Sequence, residues 1–413
     1  MQVGERRKQK RRERQERQER QERQKGGKGA KGAGILEEIQ RLEEEIRKTP
    51  YNKATEHHIG RLKAKIARLR SELERKRSAA ARGSGGAASA AIRKEGDATV
   101  VLVGYPSVGK STLLNALTNA SSAVADYDFT TVRVVPGMLS HKGAEIQVLD
   151  APGLVEGASE GRGRGREVLS VVRNADLLLL VTDVFRTDMH ALLNELVNAG
   201  IRLNEKPPAV KIVRKERGGI SIFAPNSLSI DEKTVRSILQ EYRIHNADVF
   251  ITDENITIER FIDAIEGNRR YIPAIIAVNK IDLCECGGEI ESSIQEMREG
   301  LDRSGYFFEA SDIIPISAKE GANIEALKDA IFNKLRFLRI YLKPPGKREA
   351  EKEPMILREG ATVGDVCDKI HREMRKKFKY ARIWGKSVKY EGQRVGLEHK
   401  LCDGDVVSIF TGR

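Results

Sequence analysis

The chain has 413 residues, of which 39% are hydrophobic and 32% charged, so several globular domains with charged surfaces are expected rather than one core. No run of about 18 apolar residues is present to cross a bilayer, the basic N-terminus has no apolar segment to serve as a secretory signal, and four cysteines without a CxxC pair exclude a disulfide framework. The net charge of +13, concentrated at both ends, points to a polyanion partner such as RNA, or for the N-terminal tail equally to a solvated segment that aids solubility; reduced thiols with no membrane signal favour the cytoplasm.

Residues 1–33 hold thirteen Lys or Arg against five Glu, a net of +8. From Glu13 to Gln24 the unit Glu-Arg-Gln repeats with a period of three, which builds no apolar face, so the segment reads as a basic disordered tail or a solvent-exposed helix. Residues 34–78 read as a helical hairpin. Ile35, Leu36, Ile39, Leu42 and Ile46 form one stripe, and Thr49-Pro50-Tyr51-Asn52 breaks it. Ile59, Leu62, Ile66, Leu69 and Leu73 form the second, at steps of three and four. The two stripes are expected to pack on each other with charged faces outside; a role as an arm that meets a partner stays open. Residues 79–96, rich in Ala, Gly and Ser, read as a flexible linker.

The segment 97–183 opens a nucleotide domain. Ala98-Thr99-Val100-Val101-Leu102-Val103 reads as a buried strand and runs into Gly104-Tyr105-Pro106-Ser107-Val108-Gly109-Lys110-Ser111. Thr112-Leu113-Leu114-Asn115-Ala116-Leu117 then begins a helix. Strand, G-x-x-x-x-G-K-S and helix form a phosphate-binding loop, whose N–H groups and helix N-terminus face the phosphates. Ser107, Val108, Gly109, Lys110, Ser111 and Thr112 are expected around them, with Lys110 on the β- and γ-phosphates and the Ser111 hydroxyl on Mg²⁺.

Asp126-Tyr127-Asp128-Phe129-Thr130-Thr131 lies about twenty residues further on, where a mobile loop closes on Mg²⁺ and the γ-phosphate in switch proteins. Thr130 and Thr131 are both placed at the nucleotide, and Thr131 is favoured as the metal ligand. Glu145–Leu149 reads as a strand ending in Asp150-Ala151-Pro152-Gly153. Asp150 is expected to hold Mg²⁺ through water, and the Gly153 N–H to bond the γ-phosphate. Lys110, Thr131 and Gly153 form the expected catalytic set. Ala175–Asp183 is another buried strand.

Residues 184–252 read as a small α/β insert, because a crossover helix alone needs far less chain. Its expected elements are a helix at Met189–Ala199, strands at Val210–Lys215 and Ile220–Ala224, a helix at Glu232–Tyr242 and a strand at Asp248–Ile251. The nucleotide domain resumes over 253–340. The strand Ala274–Val278 ends in Asn279-Lys280-Ile281-Asp282. A carboxylate here accepts from guanine N1–H and the 2-amino group, a pair that adenine lacks, so Asp282 selects GTP over ATP. Lys280 is expected along the base plane, and Asn279 to brace the neighbouring loops. Ser317-Ala318-Lys319 completes the site, with the Ala318 N–H on guanine O6. A helix from about Ile324 to Leu338 closes the domain. Five elements in this order, each at the C-terminal end of a strand, predict a GTPase on a mostly parallel α/β sheet.

Residues 341–413 hold seventeen basic against eleven acidic residues, a net of +6. After Lys343-Pro344-Pro345-Gly346 they read as a β-grasp-like module with a helix at Val363–Met374 and a last strand at Asp405–Phe410. Arg372, Arg375, Lys376, Lys377, Lys379, Arg382, Lys386 and Lys389 interleave with Phe378, Tyr380 and Trp384. Basic and aromatic residues together suit RNA; most of the aromatics are expected in the core, beneath a basic surface.

Together, Gly104–Ser111, Tyr127–Thr131, Asp150–Gly153, Gly161-Arg162-Gly163-Arg164-Gly165-Arg166 and Asn279–Asp282 resemble the developmentally regulated GTP-binding proteins, which belong to the Obg-related GTPases. Asn52–His58, Gly200–Asn204, Tyr242–Asp248 and Phe378–Gly385 share the likeness, which runs from about Ile35 to the C-terminus. The resemblance implies a helical hairpin, a P-loop GTPase domain, an insert resembling the second domain of a small-subunit ribosomal protein, and a C-terminal TGS domain. It also implies association with ribosomes and translation. Eukaryotic members use a stabilising partner protein; whether this chain has one stays open.

Many GTPases carry after the DxxG motif a Gln that orients the attacking water. Leu154 stands there and has no polar group, so slow intrinsic hydrolysis is expected. Some relatives bind K⁺ through an Asn in the phosphate loop; Ser107 stands at that position and leaves K⁺ activation open. Arg162, Arg164 and Arg166 read either as charge for the transition state or RNA, or as a solvated loop. Two functions follow: a GTP-driven switch on ribosomes, or an RNA-binding scaffold with a largely structural GTP site.

Overall fold

The computed structural model describes residues 34–83, 94–118, 134–152, 165–225, 228–284, 287–347 and 349–412. Helices α1 (34–48) and α2 (Glu56–Gly83) come first. Then β1 (Ala98–Gly104), α3 (Lys110–Leu117), β2 (Val135–His141), β3 (Ala144–Asp150), α4 (Gly165–Val172) and β4 (Leu177–Asp183) follow. Next are α5 (His190–Asn198), β5 (Ile201–Leu203), β6 (Val210–Arg214), β7 (Ile220–Phe223), α6 (Glu232–Glu241), β8 (Ala247–Ile251) and α7 (Ile258–Glu266). After them come β9 (Arg270–Ile272), β10 (Ala274–Asn279), α8 (Gly287–Arg303), β11 (Ile313–Pro315) and α9 (Ile324–Lys334). The series ends with β12 (Phe337–Leu342), β13 (Met355–Arg358), α10 (Val363–Ile370), α11 (Arg372–Lys376), β14 (Phe378–Trp384), β15 (Gln393–Val395) and β16 (Val406–Thr411). No helix among the described residues is long and apolar enough to cross a membrane. Contacts divide the described residues into two compact units, one within Met1–Ala88 and Pro207–Arg269, the other within Ser89–Lys206 and Arg270–Arg413.

In the first unit, the two stripes meet as a hairpin core of Ile35, Ile39, Leu42, Leu62, Ile66, Leu69 and Leu73. Asn52 makes the turn: its Oδ1 accepts from the amides of Ala54 and Thr55 at 2.9 and 3.0 Å. The outside of α2 is not simply charged. Ala64 joins Val235, Ile238, Leu239, Val249 and Phe261 in a second core. At Gly60 a Cβ would come within 2.8 Å of Thr234 Cγ2, so the small residue permits the close approach of α2 to α6. Lys63 pairs with Glu259, Arg68 with Glu241, and the Ser71 hydroxyl donates to Glu266. The hairpin and residues 207–269 therefore form one body, whereas α5 and β5 pack in the core of the other unit. Within the insert, the sheet order is β6-β8-β7, antiparallel then parallel.

In the second unit, a six-stranded sheet has the order β11-β10-β4-β1-β3-β2. All its pairs are parallel except β2 with β3. Every residue of β1 is buried, as a strand covered on both faces requires. Alternate residues serve two cores: Val101, Val103, Leu178 and Leu180 face one side, while Val100, Leu102, Leu177 and Leu179 face the other with α3 and α9. Asn204 ties β5 to this sheet, donating to Ala274 O at 3.1 Å and accepting from its amide at 2.8 Å.

The helix expected to reach Leu338 stops at Lys334. Arg336 turns the chain at φ 53°, and the pattern changes from helical to alternating. Phe337 packs into the nucleotide-domain core, whereas Leu338 and Ile340 enter the C-terminal core. That core belongs to a second sheet, β13-β12-β16-β14-β15, covered by α10. The helix expected over Val363–Met374 is also two helices, broken at the extended His371.

Candidate functional site

Parallel pairing brings the C-terminal ends of β1, β3, β4 and β10 to one edge of the sheet. The loop after β1 curls back before α3. Gly109 adopts φ 94°, and a Cβ there would lie 2.4 Å from Asn279 Nδ2, so only glycine fits. Lys110 begins α3 and folds its side chain into the loop. Its Nζ donates to Tyr105 O at 2.9 Å and Gly104 O at 3.2 Å. Burial holds this ammonium below the usual lysine range, against the opposing pull of the Asp150 charge. A buried cation whose hydrogen bonds go to two carbonyls is under-compensated, so an anion at this loop would be stabilising.

Asp150, at the end of β3, meets α3 through Ser111. The Ser111 Oγ donates to Asp150 Oδ2 at 2.6 Å. A hydroxyl and a carboxylate oxygen so close are hard donors that fit Mg²⁺, with water and phosphate oxygens completing the shell. Among the described residues there is no cluster of three or more His, Cys, Asp or Glu for a metal.

At the other side of the loop, Asn279 is the brace. Its Nδ2 donates to Val108 O and its Oδ1 accepts from the Ala318 amide, both at 2.9 Å. The side chain is buried, 3% exposed, so both bonds are sheltered from water. Ser317 Oγ donates to Asp282 Oδ1 at 2.7 Å. Asp282 is exposed in the 3-10 turn Ile281–Leu283, facing solvent where a base can reach it. Ser107, Ser111 and Thr112 are exposed, whereas Lys319 extends away to Glu320 at 3.6 Å. The structure thus gathers Ser107–Thr112, Asp150, Asn279–Asp282 and Ser317–Ala318 at one edge. Thr130, Thr131, Gly153, Leu154, Arg162 and Arg164 lie outside the described residues, as does the side chain of Arg166.

Two contacts have no counterpart in the motif reading. Lys280 Nζ donates to Asp183 Oδ2 at 2.9 Å, and the Arg186 guanidinium lies 4.7 Å from the Tyr105 ring centroid. The signal for the first is the acid that ends the leucine-rich strand Leu177–Asp183. Asp183 fixes the head of Lys280.

A glycine loop around Lys110, the Ser111–Asp150 pair and the Ser317–Asp282 pair at one edge of a parallel α/β sheet make up the arrangement of a P-loop GTPase. A family described as 50S ribosome-binding GTPase matches residues 99–215, its C-terminal region matches 217–337, and the TGS domain matches 338–411. An uncharacterized GTP-binding protein of Methanocaldococcus jannaschii is 54% identical over 92% of this chain and 94% of its own length. Developmentally-regulated GTP-binding protein 1 of Xenopus laevis is 43% identical over 91% and 99%; Developmentally-regulated G-protein 3 of Arabidopsis thaliana is 44% identical over 91% and 98%. Among solved structures, the Schizosaccharomyces pombe YchF GTPase aligns with a TM-score of 0.40 at 16% identity, over 77% of this chain and 99% of its own. The chain belongs to the developmentally regulated GTP-binding protein family, and it binds and hydrolyses GTP.

Proposed function

We propose that this GTPase is a switch that acts on ribosomes during translation, in the cytoplasm. GTP and Mg²⁺ order the loops that carry Thr131 and Gly153, and hydrolysis releases them. Lys110 binds the β- and γ-phosphates. Ser111, Asp150 and Thr131 hold Mg²⁺, which neutralises phosphate charge when bound. Asp282 reads guanine, Lys280 lies along the base, and Ala318 donates to guanine O6. The observation that carries the nucleotide half is the joint placement of Lys110, the Ser111–Asp150 pair and the Ser317–Asp282 pair at one sheet edge. The ribosomal half is supported by the family description matched by residues 99–215 and by exposed Lys376, Lys377, Lys379, Lys386 and Lys389 in the TGS domain.

Leu154 offers no group to orient water, so the free protein hydrolyses GTP slowly and a ribosome, RNA or K⁺ near Ser107 raises the rate. Single-turnover hydrolysis with and without each addition tests this. Stimulation by ribosomes supports the switch. No stimulation by any of the three favours the RNA-binding scaffold with a structural nucleotide.

A further inference from the structure

The TGS sheet has two unlike faces. Ala381, Ile383, Val395 and Val407 face the core under α10. Strand alternation turns Tyr380, Arg382, Trp384, Arg394 and Phe410 to the other side. There, β14 and β16 set Tyr380 opposite Phe410, and β14 and β15 set Arg382 opposite Arg394. The Tyr380 and Phe410 rings stack with centroids 4.6 Å apart and planes 14° apart. The Arg394 guanidinium sits 3.8 Å from the Tyr380 centroid, and Arg382 sits 5.7 Å from that of Phe410. Lys343 lies 4.6 Å from the Trp384 ring centroid. The aromatics expected in the core thus lie partly on an open face: Tyr380, Trp384 and Phe410 are half-buried, and both arginines are exposed.

The charge on this face is unbalanced. Like charges directly opposite on neighbouring strands repel, and among the described residues Arg382, Arg394 and Lys343 have no ion-pair partner. Water screens the repulsion; an anion removes it. Arg394 lies against Tyr380, so the far side of its planar guanidinium and its N–H edge point away from the ring. A planar base stacks on the first, and a phosphate accepts from the second. An acidic peptide meets the charge and leaves the flat surface without a partner. In a duplex the bases already stack on one another and present only edges.

We propose that this face of the TGS sheet is a platform for unpaired nucleotides of RNA, an inference that rests on the RNA association proposed above. Same-face residues along a strand are about 7 Å apart, so Tyr380 to Trp384 accommodates roughly two or three nucleotides, as on other open-sheet RNA readers.

The test uses the full chain and a fluorescein-labelled ten-nucleotide oligouridylate, with a blunt RNA duplex of the same length as comparison, read by anisotropy across a salt series. The wild type binds the single strand more tightly. Tyr380→Leu weakens that binding about tenfold and leaves the salt slope unchanged, because Arg394 and Phe410 lose the ring that holds their stacking surfaces in place while the charge is kept. Arg394→Ala weakens it to a similar extent and lowers the slope by about one. Should Tyr380→Leu fail to fold, the surface pair Arg382→Ala and Arg394→Ala decides the matter alone. A preference for duplex overturns the platform. So does equal single-strand affinity in wild type and variants, which is also what a polypeptide occupant of the face gives. Ribosome cosedimentation, run in parallel, separates the two readings: retained cosedimentation with unchanged oligonucleotide affinity overturns the platform and leaves ribosome association standing.

Discussion

Ser317 Oγ donates to Asp282 Oδ1 at 2.7 Å while accepting from the Glu320 amide at 3.0 Å. The hydroxyl uses one lone pair of one carboxylate oxygen and leaves the other acceptor positions of Asp282 open. Asp282→Asn exchanges an acceptor for a donor, so competition binding is expected to show GTP affinity falling by roughly a hundredfold or more, with xanthosine triphosphate gaining. Ser317→Ala keeps guanine preference and weakens GTP several-fold, about 1 kcal/mol. Unchanged selectivity in Asp282→Asn would contradict the base-reading role.

Lys110 is a buried cation whose partners are the carbonyls of Gly104 and Tyr105. Removing its charge is expected to stabilise the nucleotide-free protein and to abolish nucleotide binding. Thermal unfolding of Lys110→Met is expected to start above the wild type by about 1 kcal/mol or more without nucleotide, and to show no upward shift when GTP is added. Because burial lowers the Lys110 pKa from 10.5, the folded wild type loses this proton more readily than the unfolded chain. Its deficit relative to Lys110→Met therefore narrows as pH rises toward 10.5.

Asp176, just before β4, ties the nucleotide domain to the TGS sheet. Burial alone raises its pKa, but the Thr99 amide at 2.9 Å, Arg358 at 2.8 Å and Lys94 at 3.1 Å outweigh it and hold the carboxyl below the usual aspartate range. The stability it contributes is present above its unfolded pKa and is lost as pH falls through the lower folded value. Asp176→Asn is expected to cost about 1–3 kcal/mol at pH 7, and the gap to wild type shrinks in strong acid. A gap that is constant with pH would contradict the charge-based account.

The nucleotide site was legible because its residues come in contiguous motifs at strand ends. Gly104–Ser111 and Asn279–Asp282 name their own backbone context, and the hairpin stripes name their own faces. Contacts set by tertiary packing were not. Asp183 holds Lys280 from 97 residues away; the acid that ends Leu177–Asp183 is visible locally, but its partner is not. The second face of α2 rests on Gly60 and Ala64, small residues that look neutral until Thr234 and Val235 arrive against them. At Leu338 the apolar spacing satisfied both a helix and a strand, and the positive φ of Arg336 decided between them. The outward aromatics of β14 were missed because alternation shows two faces without saying which is covered.

The lysines at 376, 377 and 379 are exposed, and none forms an ion pair among the described residues. Neutralising all three is expected to lower ribosome affinity and to reduce its salt dependence by roughly one unit of slope per lysine that meets a phosphate. Filter binding across a salt series measures both. A lower affinity with an unchanged slope would mean that these residues act through folding or protein contacts instead.

Nucleotide-dependent cosedimentation bears on the switch most directly. Purified chain is centrifuged through a cushion with ribosomes, carrying GTP, GDP or a non-hydrolysable GTP analogue. The analogue-bound protein is expected to pellet with ribosomes and the GDP-bound protein to stay largely behind, with GTP between them. Equal pelleting in all three states, or none in any, would contradict the switch.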